Sequence, residues 1–151
     1  VSGARAPSRV GEDIRNFKAE TPFPRPPRDT AAAVVCSDFY SPLAEWRDRL
    51  TPLAARCRDG VLLQVCDPIE EAYPFNGRVR FFRPGQDRER LIGRAESIRT
   101  GYLDKFTQRR TDMTGLAGEL GWRFVTHVTS EEARTPLGNL AYGFTADGAA
   151  A

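Results

Sequence analysis

Lysine is nearly missing from this chain: of its 22 basic residues only Lys18 and Lys105 are lysines, and the rest are arginines. An Arg and Ala bias of this kind is a common coding habit of GC-rich bacteria. With a formal net charge of +2, the chain lacks the dense basic face of a nucleic-acid-binding module. Long hydrophobic runs are also missing, and nothing approaches the roughly 20 apolar residues of a membrane span. Val1–Arg9 is polar and carries no apolar core of a secretory signal. There is one histidine, His127, and there is no GxSxG, HExxH, Walker loop or GxGxxG, nor a Ser-His-Asp order. The cysteines number three, Cys36, Cys57 and Cys66, and none forms a CxxC pair. They read as small buried hydrophobes in a reducing cytoplasm, with a thiol-based site at Cys36 or Cys66 as the alternative.

What is present fits one domain of 151 residues, 40% hydrophobic and 28% charged. Residues 1–30 stand apart. They hold five of the eleven prolines and six Lys/Arg against four acids, so the whole net charge of +2 lies there. Pro22-Phe-Pro-Arg-Pro-Pro27 is expected to be extended; it reads as a linker or as a proline-rich ligand for an aromatic groove. Residues 31–145 form the regular part, and 146–151 a frayed tail.

Ala31–Cys36 predicts a strand buried on both faces, ending at Ser37-Asp38. Ser41-Pro42 predicts a helix N-cap with proline in the first turn. Leu43, Trp46, Leu50, Leu53 and Cys57 then make one apolar helix face, with a kink at Pro52 and a stop at Asp59-Gly60. Val61–Cys66 is a second buried strand. Asn76-Gly77 predicts a hairpin joining Tyr73–Phe75 to Arg78–Phe82. Arg90–Leu120 is the longest helical stretch, closed by Gly121. Trp122–Thr129 is a third strand and Pro136–Phe144 a final helix. This order predicts an α/β, three-layer fold with a mostly parallel sheet and right-handed crossovers.

Ligands in such sheets bind beyond the carboxyl ends of the strands. Ser37-Asp38 and Asp67-Pro-Ile-Glu70 are therefore the candidate site. Asp38 with Ser37 or Ser41 offers oxygens to Mg²⁺; the plain alternative is that Asp38 caps a helix and Asp67 opens a turn before Pro68. Arg78, Arg80 and Arg83 make a small basic strand, suited to an acidic partner or to guarding an exposed edge.

Val34-Val-Cys-Ser-Asp-Phe39 and Leu63-Gln-Val-Cys-Asp-Pro-Ile-Glu70 resemble the Ser-Asp-Phe and Asp-Pro-x-Glu signatures of the bacterial domain-of-unknown-function 58 family. Tyr73-Pro-Phe-Asn-Gly-Arg-Val-Arg-Phe81 is similar to its Leu-Pro-Phe-x-Gly hairpin. Ile92–Tyr102 is similar to the start of its long helix, and Gly121-Trp-Arg-Phe124 and Pro136-Leu-x-x-Leu140 also fit. The resemblance runs from about residue 33 to 144. It implies a von Willebrand factor A-like (Rossmann-like) fold and a MoxR-type AAA+ ATPase as partner. It also implies a metal-ion-dependent adhesion site in which Asp38 is the acid after the fourth strand. No DxSxS occurs in this chain, so the resemblance implies the C-terminal half of such a domain with an incomplete metal site. No cofactor is expected in the chain itself, and Mg²⁺ would be bound only if the site were completed elsewhere.

Two functions follow as expectations. The first is a non-enzymatic interaction domain in the bacterial cytoplasm, reaching a membrane only through parts outside this chain. It self-associates through the open edge of the Ser-Asp-Phe strand. The second is a divalent-metal hydrolase using Asp38, Asp67 and Glu70, with His127 as acid/base.

Overall fold

A computed structural model describes residues 30–82, 89–136 and 138, and the account below is of those residues. Their elements are β1 (Thr30–Ser37), α1 (Leu43–Ala54), β2 (Cys57–Cys66), α2 (Pro68–Ala72), β3 (Val79–Phe82), β4 (Glu89–Ile92), a 3₁₀ turn (Ala95–Ile98), α3 (Arg99–Glu119) and β5 (Arg123–Val128). The main sheet is parallel in the order β1-β2-β5, with Val34 opposite Val61 and Leu63 opposite Val125. β3 and β4 form a separate antiparallel pair. The α/β class and the parallel sheet are as the sequence predicts.

Both crossovers, β1–α1–β2 and β2–α3–β5, advance in the same direction across the sheet. Right-handed connections therefore place α1 and α3 on one face. The core lies there: Trp46 and Leu50 from α1, Met113, Leu116 and Ala117 from α3, and Val35 and Leu62 from the sheet pack together with Phe39 and Trp122. Alternation sends Val61, Leu63, Val65 and Val125 to the opposite face, which neither α1 nor α3 covers. The described residues thus make two layers where three were expected.

Several boundaries differ from the sequence reading. β1 is the outer strand of the three, not a doubly buried one: Val35 is buried, but Val34 is 44% exposed and Cys36 is exposed as well. Pro42, not Ser41, occupies the N-cap of α1, without a side-chain cap. The helix continues past Pro52 to Ala54 and then ends. Cys57 and Asp59-Gly60 belong to β2, because a two-residue turn at Ala55-Arg56 already releases the chain to pair Cys57 with Thr30. Gly60 is no helix cap. It leaves room for the Trp122 indole, which lies where a Cβ would project.

Residues 90–94 are not helical, and the helical stretch begins only with the 3₁₀ turn at Ala95. Glu89–Ile92 pairs antiparallel with Val79–Phe82, so Tyr73–Phe75 has no strand role. Arg78 lies just outside β3, Arg80 within it, and Arg83 outside the described residues. Gly77 does adopt the left-handed turn conformation, φ 67°. Its backbone is bound by the approach to α3 instead of by a partner strand: its amide donates to the Glu96 carboxylate at 2.7 Å, and its carbonyl accepts from Ala95 at 2.8 Å. The expected end of α3 is correct. Gly121, φ 71°, allows its own amide to reach the Gly118 carbonyl and the Trp122 amide to reach Ala117, a Schellman closure. Of the expected final helix, residues after Pro136 lie outside the described ones apart from Gly138. The proline run and the frayed tail lie outside them too.

Candidate functional site: an aromatic cleft at the carboxyl end of the sheet

β1 ends at Ser37, and the next residues turn sharply. The Ser37 hydroxyl donates to Asp38 Oδ1 at 3.4 Å and accepts from the Phe39 amide at 3.3 Å. Asp38 Oδ1 also accepts from the Tyr40 amide at 3.0 Å. Phe39 takes a left-handed backbone, φ 57°, a conformation unfavourable for a non-glycine residue by about 1–2 kcal/mol. Full burial of its ring, 4.7 Å from Trp46 and 5.9 Å from Phe124, offsets that cost. The turn thereby commits Phe39 to the core and leaves Tyr40 at the surface beyond the strand end.

β2 ends at Cys66, and Asp67-Pro-Ile-Glu70 forms a reciprocal capping box. Asp67 Oδ1 accepts from the Ile69 amide at 2.8 Å, and Glu70 Oε2 accepts from the Asp67 amide at 2.9 Å. Pro68 supplies the fixed first-turn φ. The Asp-Pro-x-Glu signature is thus a helix start in its own right. α2 stops at Tyr73, again left-handed at φ 42°, with its ring 3% exposed.

These two strand ends wall a cleft of about 470 Å³. Tyr40 comes from the first turn, and Ile69 and Glu70 from α2. Tyr73 and Phe75 come from the following loop, Phe81 from β3 and Tyr102 from α3. The rings form one cluster around Tyr73, with Tyr102 tilted at 4.7 Å, Phe75 edge-on at 5.1 Å and Phe81 near parallel at 6.4 Å. Arg99 fastens the loop to α3, its guanidinium donating to the Tyr73 carbonyl at 3.1 Å and to the Phe75 carbonyl and Asn76 Oδ1 at 3.2 Å. A second hollow of about 250 Å³ shares Tyr40 and Tyr102 and adds Lys105, Phe106 and Arg109.

Electrostatics inside the cleft favour neutral donors. Burial raises the Tyr40 hydroxyl well above the ordinary tyrosine range, and interactions with Tyr102 and Glu70 raise it further. Burial raises Tyr102 as well. The Tyr73 hydroxyl is buried and has no hydrogen-bond partner among the described residues. Behind the cleft runs a polar network. Arg110 donates to Gln64 Oε1 at 2.8 Å, to Glu71 Oε1 at 2.5 Å and to Cys66 Sγ at 3.2 Å, with its guanidinium 4.4 Å over the Phe106 ring. Gln64, 1% exposed, passes the link on to the Asp38 carbonyl at 3.2 Å. The network ties both strand ends and α2 to α3.

The sequence-derived metal set does not come together. Asp38 is spent on its own turn, and Asp67 and Glu70 cap each other's backbone. His127 follows Val125 on the sheet face away from α3. It is 8% exposed, with Nδ1 4.0 Å from Glu131 Oε2. Among the described residues no group of three His, Cys, Asp or Glu side chains is placed to hold a metal ion. With their oxygens on backbone amides, Asp38, Asp67 and Glu70 form no shared metal-holding set among the described residues. Cys57 and Cys66 are buried, and burial raises both thiols; Cys36 is exposed, against its expected place in the core.

Sequence reasoning found Glu70 but missed the aromatic cleft. Tyr73 and Phe75 were visible inside the hairpin signature. Tyr102 and Phe106 lie inside the long helical stretch with nothing in their spacing to set them apart, and Gln64 and Arg110 give no signal.

The fold and cleft define an α/β protein whose surface site lies beyond the carboxyl ends of parallel strands. The family model for "Protein of unknown function DUF58" matches residues 4–112, and the chain belongs to that family. The match takes in residues 4–30, set apart above on composition, and ends within α3. No curated protein and no solved structure matches the chain.

Proposed function

We propose that this chain is a non-enzymatic interaction domain, the cytoplasmic partner or adaptor of a MoxR-type AAA+ ATPase, with the aromatic cleft as its docking face. The observation that carries the reading is convergence. Segments bearing the family signatures, Ser-Asp-Phe, Asp-Pro-x-Glu, the Pro-Phe-x-Gly loop and the start of the long helix, all border one cleft. Two non-glycine residues at positive φ, Phe39 and Tyr73, shape its walls, and such strain concentrates at functional surfaces. Exposed aromatic and aliphatic side chains around a depression are what a protein partner buries. In the same reading the chain is the C-terminal half of a von Willebrand A-like domain. The parallel order β1-β2-β5 and the outer place of β1 among the described strands support this. The partner contact needs no metal ion held by Asp38.

Calorimetric titration of the full chain with a MoxR-type AAA+ ATPase tests the proposal. Ile69, 49% exposed at the rim, is the clean probe, because Asp is tolerated in the first turn of α2. Saturable binding is expected, with Ile69→Asp weakening it at least about tenfold, the scale of one buried aliphatic side chain. Absence of binding, or an affinity unchanged by Ile69→Asp, contradicts the proposal.

A further inference from the structure

We infer that the cleft receives an arginine-bearing polyproline segment, and that its occupant is the Pro22–Pro27 run of a second copy of this chain. The inference rests on the cleft being a docking face and not on the ATPase being its partner, and the run and the ATPase would compete for it. Three features of the cleft match that chemistry. Clustered Tyr and Phe rings form the kind of surface onto which proline rings pack, and aromatic-lined grooves are the general receptors of polyproline helices. The Tyr73 hydroxyl is a buried donor without a partner among the described residues. A polyproline helix has unsatisfied carbonyls along its length and no internal hydrogen bonds. Glu70 stands at the wall, with Oε2 on the Asp67 amide and the rest of the carboxylate beside Tyr40. It is the acid that an arginine within the run would meet. Pro22-Phe-Pro-Arg-Pro-Pro27 supplies the prolines, and Arg25 supplies the charge.

Chain length decides between the chain's own run and a neighbour's. Arg25 lies five residues before Thr30, a reach of about 18 Å at full extension. β1 then climbs from Thr30 to Ser37, about 23 Å away, before the cleft begins at Tyr40. Arg25 therefore falls short of the cleft of its own molecule. It enters that of a second copy, and two copies exchanging runs close into a pair.

The test uses the isotope-labelled full chain and a synthetic peptide spanning Thr21–Arg28. Saturable amide shifts are expected at Tyr40, Glu70, Tyr73 and Tyr102. The Arg25→Glu peptide should bind at least about tenfold more weakly, the scale of a lost charge-assisted hydrogen bond. Sedimentation of the full chain should show concentration-dependent association. Excess peptide should suppress it, and so should the Pro24→Ala/Pro27→Ala double variant, whose circular dichroism should be unchanged. Cleft shifts lost with the arginine, together with association that the peptide dissolves, support the inference. A chain that stays monomeric at several hundred micromolar overturns the second copy as occupant. Peptide shifts absent from the cleft overturn the cleft as receptor. Association that persists in the double variant points to the β1 edge and overturns the inference.

Discussion

Replacing Gly60 by alanine puts one methyl group where the Trp122 indole lies. Neither side yields easily. Gly60 is held in β2 by its register with Ala33, and Trp122 is 5% exposed and anchored by the Schellman closure of α3. If the ring shifts in place, overpacking costs about 1–3 kcal/mol. If it leaves the core, the loss approaches the about 3–5 kcal/mol of a truncated buried aromatic. The added carbon falls inside the ring and not at its rim, so displacement is the expected outcome, at about 3–5 kcal/mol. A chain of this length loses about 2–4 °C in Tm per kcal/mol, so melting should fall by about 6–20 °C. Gly115→Ala is the internal control. It sits in α3 with open space where its Cβ would be, and should stabilise by about 0.5–1 kcal/mol. Urea unfolding of the three proteins, with tryptophan emission as a second readout, decides the matter. Only Trp46 and Trp122 report, and Trp122 should shift to the red in Gly60→Ala. A Gly60→Ala protein within about 0.5 kcal/mol of the parent, with unchanged emission, refutes the packing argument.

Three further outcomes follow from the site. Arg110→Met should keep the contact with Phe106 but leave Gln64 and Glu71 without their donor, costing about 1–3 kcal/mol in denaturant unfolding; a neutral result would show that the network does not hold the strand ends together. Tyr40, raised by burial and by Tyr102 and Glu70, should ionise at a higher pH than free tyrosine, which ionises at about pH 10, and absorbance titration of the parent against Tyr40→Phe should show it. The sign is that of a raised folded-state pKa: the stabilisation is whole below pH 10 and is lost as the pH climbs beyond it. Native thiol labelling should be fast at exposed Cys36 and slow at Cys57 and Cys66, whose burial both shields and raises them; three equal rates would contradict the placement of β1 and β2.

The parallel sheet was legible because Ala31–Cys36 is an unbroken apolar run and Val61–Cys66 is broken only by Gln64, and α3 because the long helical stretch is closed by Gly121. The errors share one cause: local signals compete with contacts that sequence spacing does not show. Cys57 continued the helical stripe of α1 by arithmetic, yet pairing with Thr30 pulled it into β2. Asn76-Gly77 supplied turn chemistry, but Glu96, Ala95 and Arg99 took the backbone groups that a hairpin partner would have used. Asp38, Asp67 and Glu70 were located correctly beyond the strand ends, yet their oxygens serve backbone amides. Carboxylates after a strand look alike in sequence whether they bind metal or cap a turn. The cleft escaped because its rings come from four separate segments.

The account stands or falls on whether the cleft is the docking face. Labelled full chain titrated with a MoxR-type AAA+ ATPase tests this directly through residue-resolved line broadening. Broadening centred on Tyr40, Ile69, Glu70, Phe75 and Tyr102 is the predicted result. Broadening confined to the open edge of β1, or none at roughly 100 μM, contradicts it, since a specific contact of functional strength saturates well below that concentration.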